Sequence, residues 1–432
     1  MSSITFSGLG SGIDTASLIT QLVAVEKQPA TLLQNQQADL SSQKSIVDSL
    51  ASSVSSLGDL MSGMTLGSDV QFRTASTSDS HVSVAVSSAA VATSHDIRVE
   101  QMAKSQVVTS RTFASSAAGM LGDGSVTLNG SATVTWSSTD SLNDIASKIN
   151  DANAGVSASV LFNGTNYRLV MTSQKTGVAN ATTFADAGDG LGLSDPTNIK
   201  VAAQDAKVMI DGTEVTRPSN VIDDALDGVT ITAQSVQAAT DPDTSVSVTL
   251  DTTAAQSKMQ SFVDAYNTIS NAINNQLAYT GTTKGPDTLF GDSTLTQLQN
   301  SLQGMISQQF GTSSLLDLGI SVDKTGVMSL DADKFGTAMS SNPNAMSDLF
   351  VAGGLSHAMS SLTDLYTQPS DGILTSKSSG ITDQSDDLQK QIDQINSNAD
   401  ALQSRLQAQF DALEETMSKL QSQASYVTKV LG

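Results

Sequence analysis

The 432-residue sequence contains no cysteine, and aromatic residues make up only 4% of it, with a single tryptophan, Trp136. The absence of cysteine excludes disulfides, thiolate metal sites and a thiol nucleophile. The scarcity of aromatic side chains favours β-modules and thin helical bundles over a deep enzyme core. The length predicts several domains rather than one hydrophobic core.

Positive charge is also scarce, because 21 Lys and Arg stand against 43 Asp and Glu, for a formal net charge of −22. Of these acids, 38 are Asp and 5 are Glu. Since Asp favours caps and turns whereas Glu favours helices, the negative charge is predicted to lie in loops and helix starts. A charge of this sign opposes binding to nucleic acid and to anionic membranes.

Long apolar runs are absent, and no window approaches the ~20 apolar residues of a membrane span. The opening MSSITFSGLG has neither the basic stretch nor the apolar core of a secretory signal. We therefore expect no membrane span. We also expect that any export of the protein takes place without a cleavable signal peptide.

Helical periodicity marks the N-terminal part of the chain. After an N-cap at Asp14 or Thr15, apolar residues recur at helical spacing, and Pro29 is expected to end this helix and open a second one. A heptad pattern follows, with one row at Leu33, Leu40, Val47, Val54 and Met61 and the other at Gln36, Gln43, Leu50, Leu57 and Met64. Because glutamine weakens a coiled-coil seam, the first part should be the less stable end.

The C-terminal part carries a matching pattern, which begins at Leu388 and contains one stutter, a feature that locally unwinds a left-handed coil. We predict that both chain ends pair with each other and with neighbouring copies, and that they stay mobile in the monomer until they dock. An ordinary helical hairpin elsewhere in the fold is the alternative. The predicted self-assembly residues are Leu33, Leu40, Val47, Leu50, Val54, Leu57, Leu402, Leu406, Phe410, Leu413, Met417, Leu420 and Val427.

The middle of the chain, from about Val70 to Leu250, has the period of two that is typical of β-strands. Three dipeptides that favour tight hairpin turns divide it, namely Asn129-Gly130, Asn163-Gly164 and Asp211-Gly212. One helix, DSLNDIASKINDA with Asp140 or Ser141 as its cap, interrupts the strands. Helices return from Thr252, with a short β element at GISVDKTGVMSLD.

These patterns predict an α+β multidomain fold, in which both chain ends build a helical, coiled-coil leg and an antiparallel β-rich head of two small domains is inserted. The predicted parts are listed here in chain order: a mobile helical segment (1–40), a heptad leg helix (41–69), a proximal head domain (70–108 and 205–250), a distal head domain (109–204), a helical leg domain (251–387) and a C-terminal coiled-coil helix (388–432).

No pattern for catalysis or for a cofactor emerges. Gly8, Gly10 and Gly12 lack the preceding strand of a dinucleotide fingerprint and the Lys-Ser/Thr pair of a P-loop. The three histidines lie far apart, and the Asp-rich loops at 186–190 and 331–335 lack the ligand spacing of a calcium loop. The five glutamates show no glycosidase pairing. We expect no enzyme activity, no cofactor and no bound metal.

Several segments together resemble one family. GLGSGIDTASLITQLVAVEKQPATLL, from Gly8 to Leu33, resembles the opening signature of the bacterial flagellar filament cap family, also called the hook-associated protein 2 or FliD family. The segment DSLNDIASKINDANAGVSASVLFNGTNYRLVMTSQKTG resembles the flagellin hook insertion motif, and LQAQFDALEETMSKLQSQASYVTKVLG resembles the family's C-terminal helix. The signature residues are Gly8, Leu9, Gly10, Ser11, Gly12, Asp14 and Pro29.

The resemblance implies a structural protein outside the cell, at the distal tip of the flagellar filament. Members form a ring, expected to be a pentamer, which catches exported flagellin, helps it to fold into the filament and prevents its loss, so that the filament grows and the cell swims. The implied partners are other copies of the chain, flagellin, the hook–filament junction proteins and a flagellar export chaperone. The implied route out of the cell is flagellar type III export.

Two other functions stay open from the sequence. The acidic β-rich head, residues 70–250, could act as an adhesin for host or mucin glycans. The chain could also be a different axial protein, such as one at the hook–filament junction, although the insertion motif and the C-terminal segment favour the cap family.

Overall fold

A computed structural model describes residues 14–277, 285 and 288–431. The chain divides into two units. The helical unit is the chain up to Leu66 together with the chain from Gln256 onward, and the β unit is Gly67–Ala255. Both chain ends thus belong to one helical unit and the strand-rich region is inserted between them, which confirms the predicted fold class.

The described helices are α1 (Thr15–Ser62), α2 (Gly67–Val70), α3 (Leu142–Asp151), α4 (Thr252–Leu277), α5 (Ser293–Ser307), α6 (Ala332–Ser341), α7 (Ala345–Ser347), α8 (Leu355–Thr367) and α9 (Ile373–Leu431). Short 3₁₀ turns lie at Val178–Asn180, Pro196–Asn198 and Leu315–Leu318, and a π-helical turn lies at Asp348–Ala352.

The described strands are β1 (Arg73–Thr77), β2 (Val82–Val86), β3 (Ser94–Gln101), β4 (Val107–Thr109), β5 (Gly124–Leu128), β6 (Ala132–Trp136), β7 (Val156–Phe162), β8 (Tyr167–Ser173), β9 (Phe184–Gly188), β10 (Ile199–Val201), β11 (Ala206–Ile210), β12 (Thr213–Arg217), β13 (Val221–Leu226), β14 (Val229–Ala233), β15 (Thr244–Leu250), β16 (Ile320–Val322) and β17 (Met328–Leu330).

Helix α1 begins at the predicted cap, where the Asp14 carboxylate accepts the Ser17 N–H at 3.0 Å. The predicted break at Pro29 is wrong, because α1 runs through this residue. A helix-interior proline costs about 3 kcal/mol, since it removes a hydrogen bond and crowds the preceding turn. Here Pro29 lies on an exposed side, while Val23 and Ala30 on either side of it are buried. Burial of the flanking turns therefore overrides the local preference.

The core of the helical unit contains the apolar stripe of α4. Met259, Phe262, Val263, Tyr266 and Ile269 are all buried, as the helical spacing predicted. The predicted short β element is the antiparallel hairpin β16–β17. It is held on α4 by Asn267, whose side chain donates to the Met328 carbonyl at 2.8 Å and accepts the Met328 N–H at 2.7 Å.

Helix α9 begins at Ile373, before the predicted boundary at 388, so that boundary falls inside a continuous helix. With 59 residues, α9 spans about 88 Å at 1.5 Å per residue.

The β unit contains two separate cores. The first β-domain, residues 73–101 and 206–250, has a five-stranded sheet of order β1-β15-β3-β11-β12 and a three-stranded sheet of order β13-β14-β2. Its buried residues come from both sheets, and Ile97, Val208, Ile231 and Val246 are among them. All the pairings between these strands are antiparallel.

The second β-domain, residues 107–201, has a sheet of order β10-β4-β8-β7 and another of order β6-β5-β9, with α3 packed into the same core. The sequence placed the domain boundary between residues 108 and 109, which would cut β4. Because β4 pairs with β8 and β10 and Val108 is buried in this core, we place the boundary before Val107. Helix α3 has the predicted cap, since Ser141 and Asp144 form a capping box.

Two of the three predicted hairpin turns have the expected geometry. Asn129 and Gly130 have φ of 51° and 68°, and Asp211 and Gly212 have φ of 46° and 76°, the positive values that tight turns require. Asp211-Gly212 is a two-residue turn between the paired Ile210 and Thr213, whereas the three residues from Asn129 to Ser131 separate the paired Leu128 and Ala132. At Asn163-Gly164 the prediction of such a turn is wrong, because β7 and β8 are joined by the four residues from Asn163 to Asn166. The Asn163 side chain accepts the N–H groups of Thr165 and Asn166 and so closes this longer loop.

Candidate functional site: the paired helices of the chain ends

Helices α1 and α9 lie side by side and run in opposite directions. Contacts between them join residues whose numbers rise along α1 as they fall along α9. These contacts are Lys27 Nζ to Asp400 Oδ1 (3.1 Å), Gln37 Nε2 to Gln389 Oε1 (3.2 Å) and Ser378 Oγ to Asp48 Oδ1 (2.5 Å). The Lys27–Asp400 pair is exposed, so it marks the register more than it stabilises the helices.

At the start of α1 a small apolar cluster joins the two helices. Ile19, Val23 and Ala399 are buried in it, and Leu406 and Phe410 pack against it while remaining half-buried. The small side chains of Ala399 and of Ala30, which is also buried, allow the helix backbones to approach closely. The sequence pattern did not single out Ile19, Val23 and Ala30 as the contacts, although they recur at spacings of four and seven.

Further along α1 the pairing is looser, where glutamine occupies the heptad row. Gln36 is exposed, whereas Leu33, Leu40 and Gln43 are half-buried. A groove of about 450 Å³ opens here between the helices, lined by Gln36, Asp39, Leu40, Gln43, Gln384, Asp387, Leu388 and Gln391. This gap is consistent with the weak packing that a glutamine-bearing seam predicts.

The last third of α1 is fully packed. Val47, Leu50, Val54 and Leu57 have between 0% and 2% of their surface exposed. The self-assembly residues predicted on this stretch therefore lie in the core of the chain itself.

Asp48 lies on the same stretch. Partial burial would raise the pKa of Asp48, but hydrogen bonds from Lys44 at 2.6 Å and from Ser378 outweigh it, so this pKa lies below its usual value.

The C-terminal part of α9 has the opposite environment. Leu413, Leu420 and Val427 are 45%, 54% and 51% exposed, Met417 is half-buried, and Leu402 is also half-buried. All side chains from Ser418 to Lys429 are exposed. The thirteen predicted self-assembly residues thus fall into two groups. Those of α1 and the first three of α9, up to Phe410, contact the chain itself. The last four of α9, from Leu413 onward, face outward.

The outward face of α1 is also apolar, because Leu18, Leu22, Val25 and Leu32 are 42% to 65% exposed.

Of the N-terminal signature, Gly8, Leu9, Gly10, Ser11 and Gly12 lie outside the described residues. Asp14 caps α1, and Pro29 is an exposed residue within it.

Sites for chemistry are not brought together in the described ranges. Among the described residues, no group of three or more His, Asp or Glu side chains is placed to hold a metal ion. His95 contacts Asp211 at 2.6 Å and His81 contacts Asp79 at 3.0 Å, as separate pairs. In the two loops that could suggest calcium binding, Asp186 accepts backbone N–H groups of Leu191 and Ser194, and Asp331 caps α6, so both act in local turns.

Within the parts of the chain that the structure describes, no helix combines the length and the apolarity needed to cross a membrane.

The sequence matches three family models. Residues 11–106 match the flagellar hook-associated protein 2 N-terminus, residues 203–422 match the flagellar hook-associated protein 2 C-terminus, and residues 125–175 match the flagellin hook IN motif. Flagellar hook-associated protein 2 of Escherichia coli O157:H7 is 30% identical over 99% of this chain and 98% of its own. The A-type flagellar hook-associated protein 2 of Pseudomonas aeruginosa is 27% identical over 99% of this chain and 97% of its own.

The fold has a matching relative among solved structures. The crystal structure of the D1-D2-D3 domains of the flagellar cap protein FliD from Escherichia coli superimposes with a TM-score of 0.67 at 27% identity, covering 78% of this chain and all of that one. Because the family consists of structural flagellar cap proteins, the prediction that the chain is not an enzyme is confirmed. The chain belongs to the flagellar hook-associated protein 2 family.

Proposed function

We propose that this protein caps the distal end of the flagellar filament outside the cell, where a ring of copies, expected to be a pentamer, promotes the folding and insertion of exported flagellin and prevents its loss. Family membership supports the cap role. Filament growth and motility would then depend on it. Its further proposed partners are the hook–filament junction proteins and an export chaperone, with exit through the flagellar type III channel.

The observation that carries this proposal is the environment of the paired chain ends. Helix α9 continues past the start of the described part of α1 and exposes Leu413, Leu420 and Val427 at coiled-coil spacing. Exposed Leu-sized side chains in such a row favour burial against a protein surface. We therefore expect the chain ends to form the contacts with neighbouring copies and with flagellin at the filament tip.

The loosely packed middle of the pair fits a cap that must detach and rebind as subunits are added. The groove at Gln36 and Gln43 leaves the helix pair short of contacts there. We expect Gln36→Leu combined with Gln43→Leu to fill part of the groove, stiffen the ring and slow filament growth. Filaments that grow at the normal rate on the double variant would contradict this role of the glutamines.

The cap role is tested by electron microscopy of sheared filaments mixed with purified, gold-labelled protein. We expect label at one tip of each filament, and its loss when residues 1–40 or 390–432 are deleted. A matched control carries Ser131→Ala, a change in an exposed turn of the β unit, and should still label the tip. Label along the shaft, or none at all with the undeleted chain, would overturn the proposal.

An adhesive role for the β unit is a second candidate. The β7–β8 hairpin exposes about half of Leu161 and of Phe162. The ring of Phe162 lies against that of Tyr167 at a tilt of 31°, with 4.6 Å between the ring centroids. Such an exposed apolar and aromatic pair is able to contact a sugar face. Binding of glycans or cells by the fragment Gly67–Ala255, lost in Phe162→Ser, would support adhesion, whereas capping requires the chain ends.

A further inference from the structure

The sequence contains two Asn-Gly dipeptides, Asn129-Gly130 and Asn163-Gly164. An asparagine before a glycine is open to spontaneous deamidation, because glycine has no side chain to shield its backbone nitrogen from the neighbouring carboxamide. This nitrogen attacks the carboxamide carbon, and a cyclic succinimide forms. Both dipeptides are exposed in connections between strands, so sequence and exposure alone do not distinguish them. Their hydrogen bonds do.

The Asn129 side chain is held by two other segments of the chain. Its Nδ2 atom donates to the Ala154 carbonyl at 2.9 Å, and its Oδ1 atom accepts the Thr183 N–H at 3.1 Å. Rotation of the carboxamide toward the Gly130 nitrogen would break both hydrogen bonds. The folded structure is therefore expected to protect this asparagine.

The Asn163 side chain makes its hydrogen bonds only within its own loop. Its Oδ1 atom accepts the Thr165 N–H at 3.0 Å and the Asn166 N–H at 2.9 Å. To reach these groups, the carboxamide folds back over the peptide bond to Gly164, which carries the attacking nitrogen. Within the described part of the chain, no group accepts a hydrogen bond from the Asn163 Nδ2 atom or from the Gly164 N–H. Open space surrounds Gly164, because an added Cβ would have no neighbour within 4 Å.

The two donors on the Asn163 Oδ1 atom also favour the reaction itself. When a nitrogen adds to the carboxamide carbon, negative charge develops on this oxygen. Preorganised N–H donors at about 2.7–3.1 Å stabilise such an oxyanion. The N–H groups of Thr165 and Asn166 lie within this range. The loop thus holds the electrophile over the nucleophile and supplies an oxyanion hole.

We propose that Asn163 is a site of self-catalysed deamidation, at which the β7–β8 loop converts its own asparagine into aspartate and isoaspartate. The Gly164 nitrogen gives its proton to water and forms a bond to the Asn163 Cγ atom. The Cγ–Nδ2 bond then breaks, and the leaving nitrogen takes up a proton and departs as ammonia. Water opens the succinimide at one of its two carbonyls, which gives aspartate or isoaspartate. Water is the only co-reactant.

The reaction changes the tip of the hairpin, next to the exposed Leu161 and Phe162. An aspartate adds a negative charge but keeps an oxygen that is able to accept the same two N–H groups. An isoaspartate lengthens the backbone by one methylene group, so the loop has to rearrange. Each copy of the protein therefore acquires a chemical mark of its age at this tip. The inference does not depend on the cap function proposed above.

Peptide mapping of the folded chain tests the proposal, because both dipeptides are followed in one sample. The protein is incubated at mildly alkaline pH and digested, and mass spectrometry measures aspartate and isoaspartate at positions 129 and 163 over time. We expect position 163 to convert at least tenfold faster than position 129. In concentrated urea we expect the two rates to agree within about twofold, because the segments Asn-Gly-Ser and Asn-Gly-Thr are alike once the contacts are lost.

Two results of this mapping would overturn the proposal. Equal rates at the two positions in the folded protein would show that the hydrogen bonds do not matter. A rate at position 163 that rises on unfolding would show that the loop protects its asparagine instead of promoting the reaction.

The matched control is Asn163→Gln, which keeps a carboxamide but places its carbon one bond further from the Gly164 nitrogen. We expect the folded variant to release at least threefold less ammonia than the parent protein, with an unchanged unfolding midpoint of Trp136 fluorescence. Equal ammonia release from the two folded proteins would also overturn the proposal. Tip labelling of filaments is scored separately, since it tests only the cap function.

Discussion

Helices α1 and α8 approach each other closely at Gly58. A Cβ atom added at Gly58 would lie 2.5 Å from Oγ1 and 3.1 Å from Cβ of Thr363. The Thr363 hydroxyl cannot rotate away without loss, because it donates to the Ser360 carbonyl at 2.8 Å. Gly58→Ala therefore forces the two helices apart or displaces Thr363.

Two opposing effects set the size of this change. Ala is better than Gly in a helix interior by about 1 kcal/mol. Overpacking costs about 1–3 kcal/mol. We expect Gly58→Ala to lower the free energy of unfolding of the helical unit by up to about 2 kcal/mol. Gly380→Ala, in the interior of α9 with open space around the added Cβ, should instead raise it by about 1 kcal/mol.

Urea unfolding distinguishes the two units of the chain. Circular dichroism at the helix band reports mainly on the helical unit, whereas the fluorescence of Trp136, buried in the second β-domain, reports on the β unit. Gly58→Ala should shift the transition that circular dichroism reports and leave the transition that Trp136 fluorescence reports in place. Combining it with Thr363→Ala, which removes the clashing hydroxyl and methyl, should recover part of the loss.

The reasoning would be refuted if Gly58→Ala stabilised the protein as much as Gly380→Ala does. It would also be refuted if Thr363→Ala made no difference to the effect of Gly58→Ala, because contacting residues are expected to be coupled.

Three further predictions concern a helix cap, an ion pair and the first part of α1. Ser141→Ala removes the cap of α3 and should lower the stability of the second β-domain by about 1 kcal/mol; an unchanged midpoint of Trp136 fluorescence would contradict this. Burial would raise the pKa of Asp292, but the Lys377 ammonium at 2.5 Å outweighs it and holds this pKa below its usual value. A carboxyl group with a lowered pKa in the folded state stabilises the fold at pH values above its unfolded pKa of about 3.9, and this contribution is lost as the pH falls through the folded pKa. The Asp292→Asn variant should therefore have a lower free energy of unfolding than the parent protein at pH 7, and this difference should narrow below about pH 4. A difference that does not change with pH in urea titrations would count against the prediction. The sequence pattern predicts that the chain ends stay mobile in the monomer until they dock, whereas residues 15–40 of α1 lie against α9; well-dispersed, slowly exchanging NMR amide signals from residues 15–40 of the isolated monomer would count against that mobility.

The local elements of this protein were predictable because their signals are local. Asp14 and Ser141 cap helices where the sequence placed caps, and Asn129-Gly130 and Asp211-Gly212 form tight turns, because a side chain or a positive φ acts within a few residues. The apolar stripe of α4 is buried for the same reason, since its period already defines one face of a helix.

Where the local conformational preference of a residue and its tertiary packing disagree, the packing determines the structure. The sequence predicted a break at Pro29, but the buried turns on both sides keep α1 continuous. The pattern also could not tell which apolar residues of α1 face α9, because Leu18 and Ile19 are equally apolar and differ only by 100° around the helix. Only the partner helix makes Ile19 buried and Leu18 exposed.

By itself the sequence determined the helical ends, the inserted β-rich middle, the caps and most of the turns, since these depend on periodicity and on conformational preferences over short spans. Only the tertiary structure decided the strand order β1-β15-β3-β11-β12, the assignment of β4 to the second β-domain, and the register that leaves the end of α9 exposed. These features depend on pairing between segments distant in the chain, and many such pairings are compatible with the same local pattern.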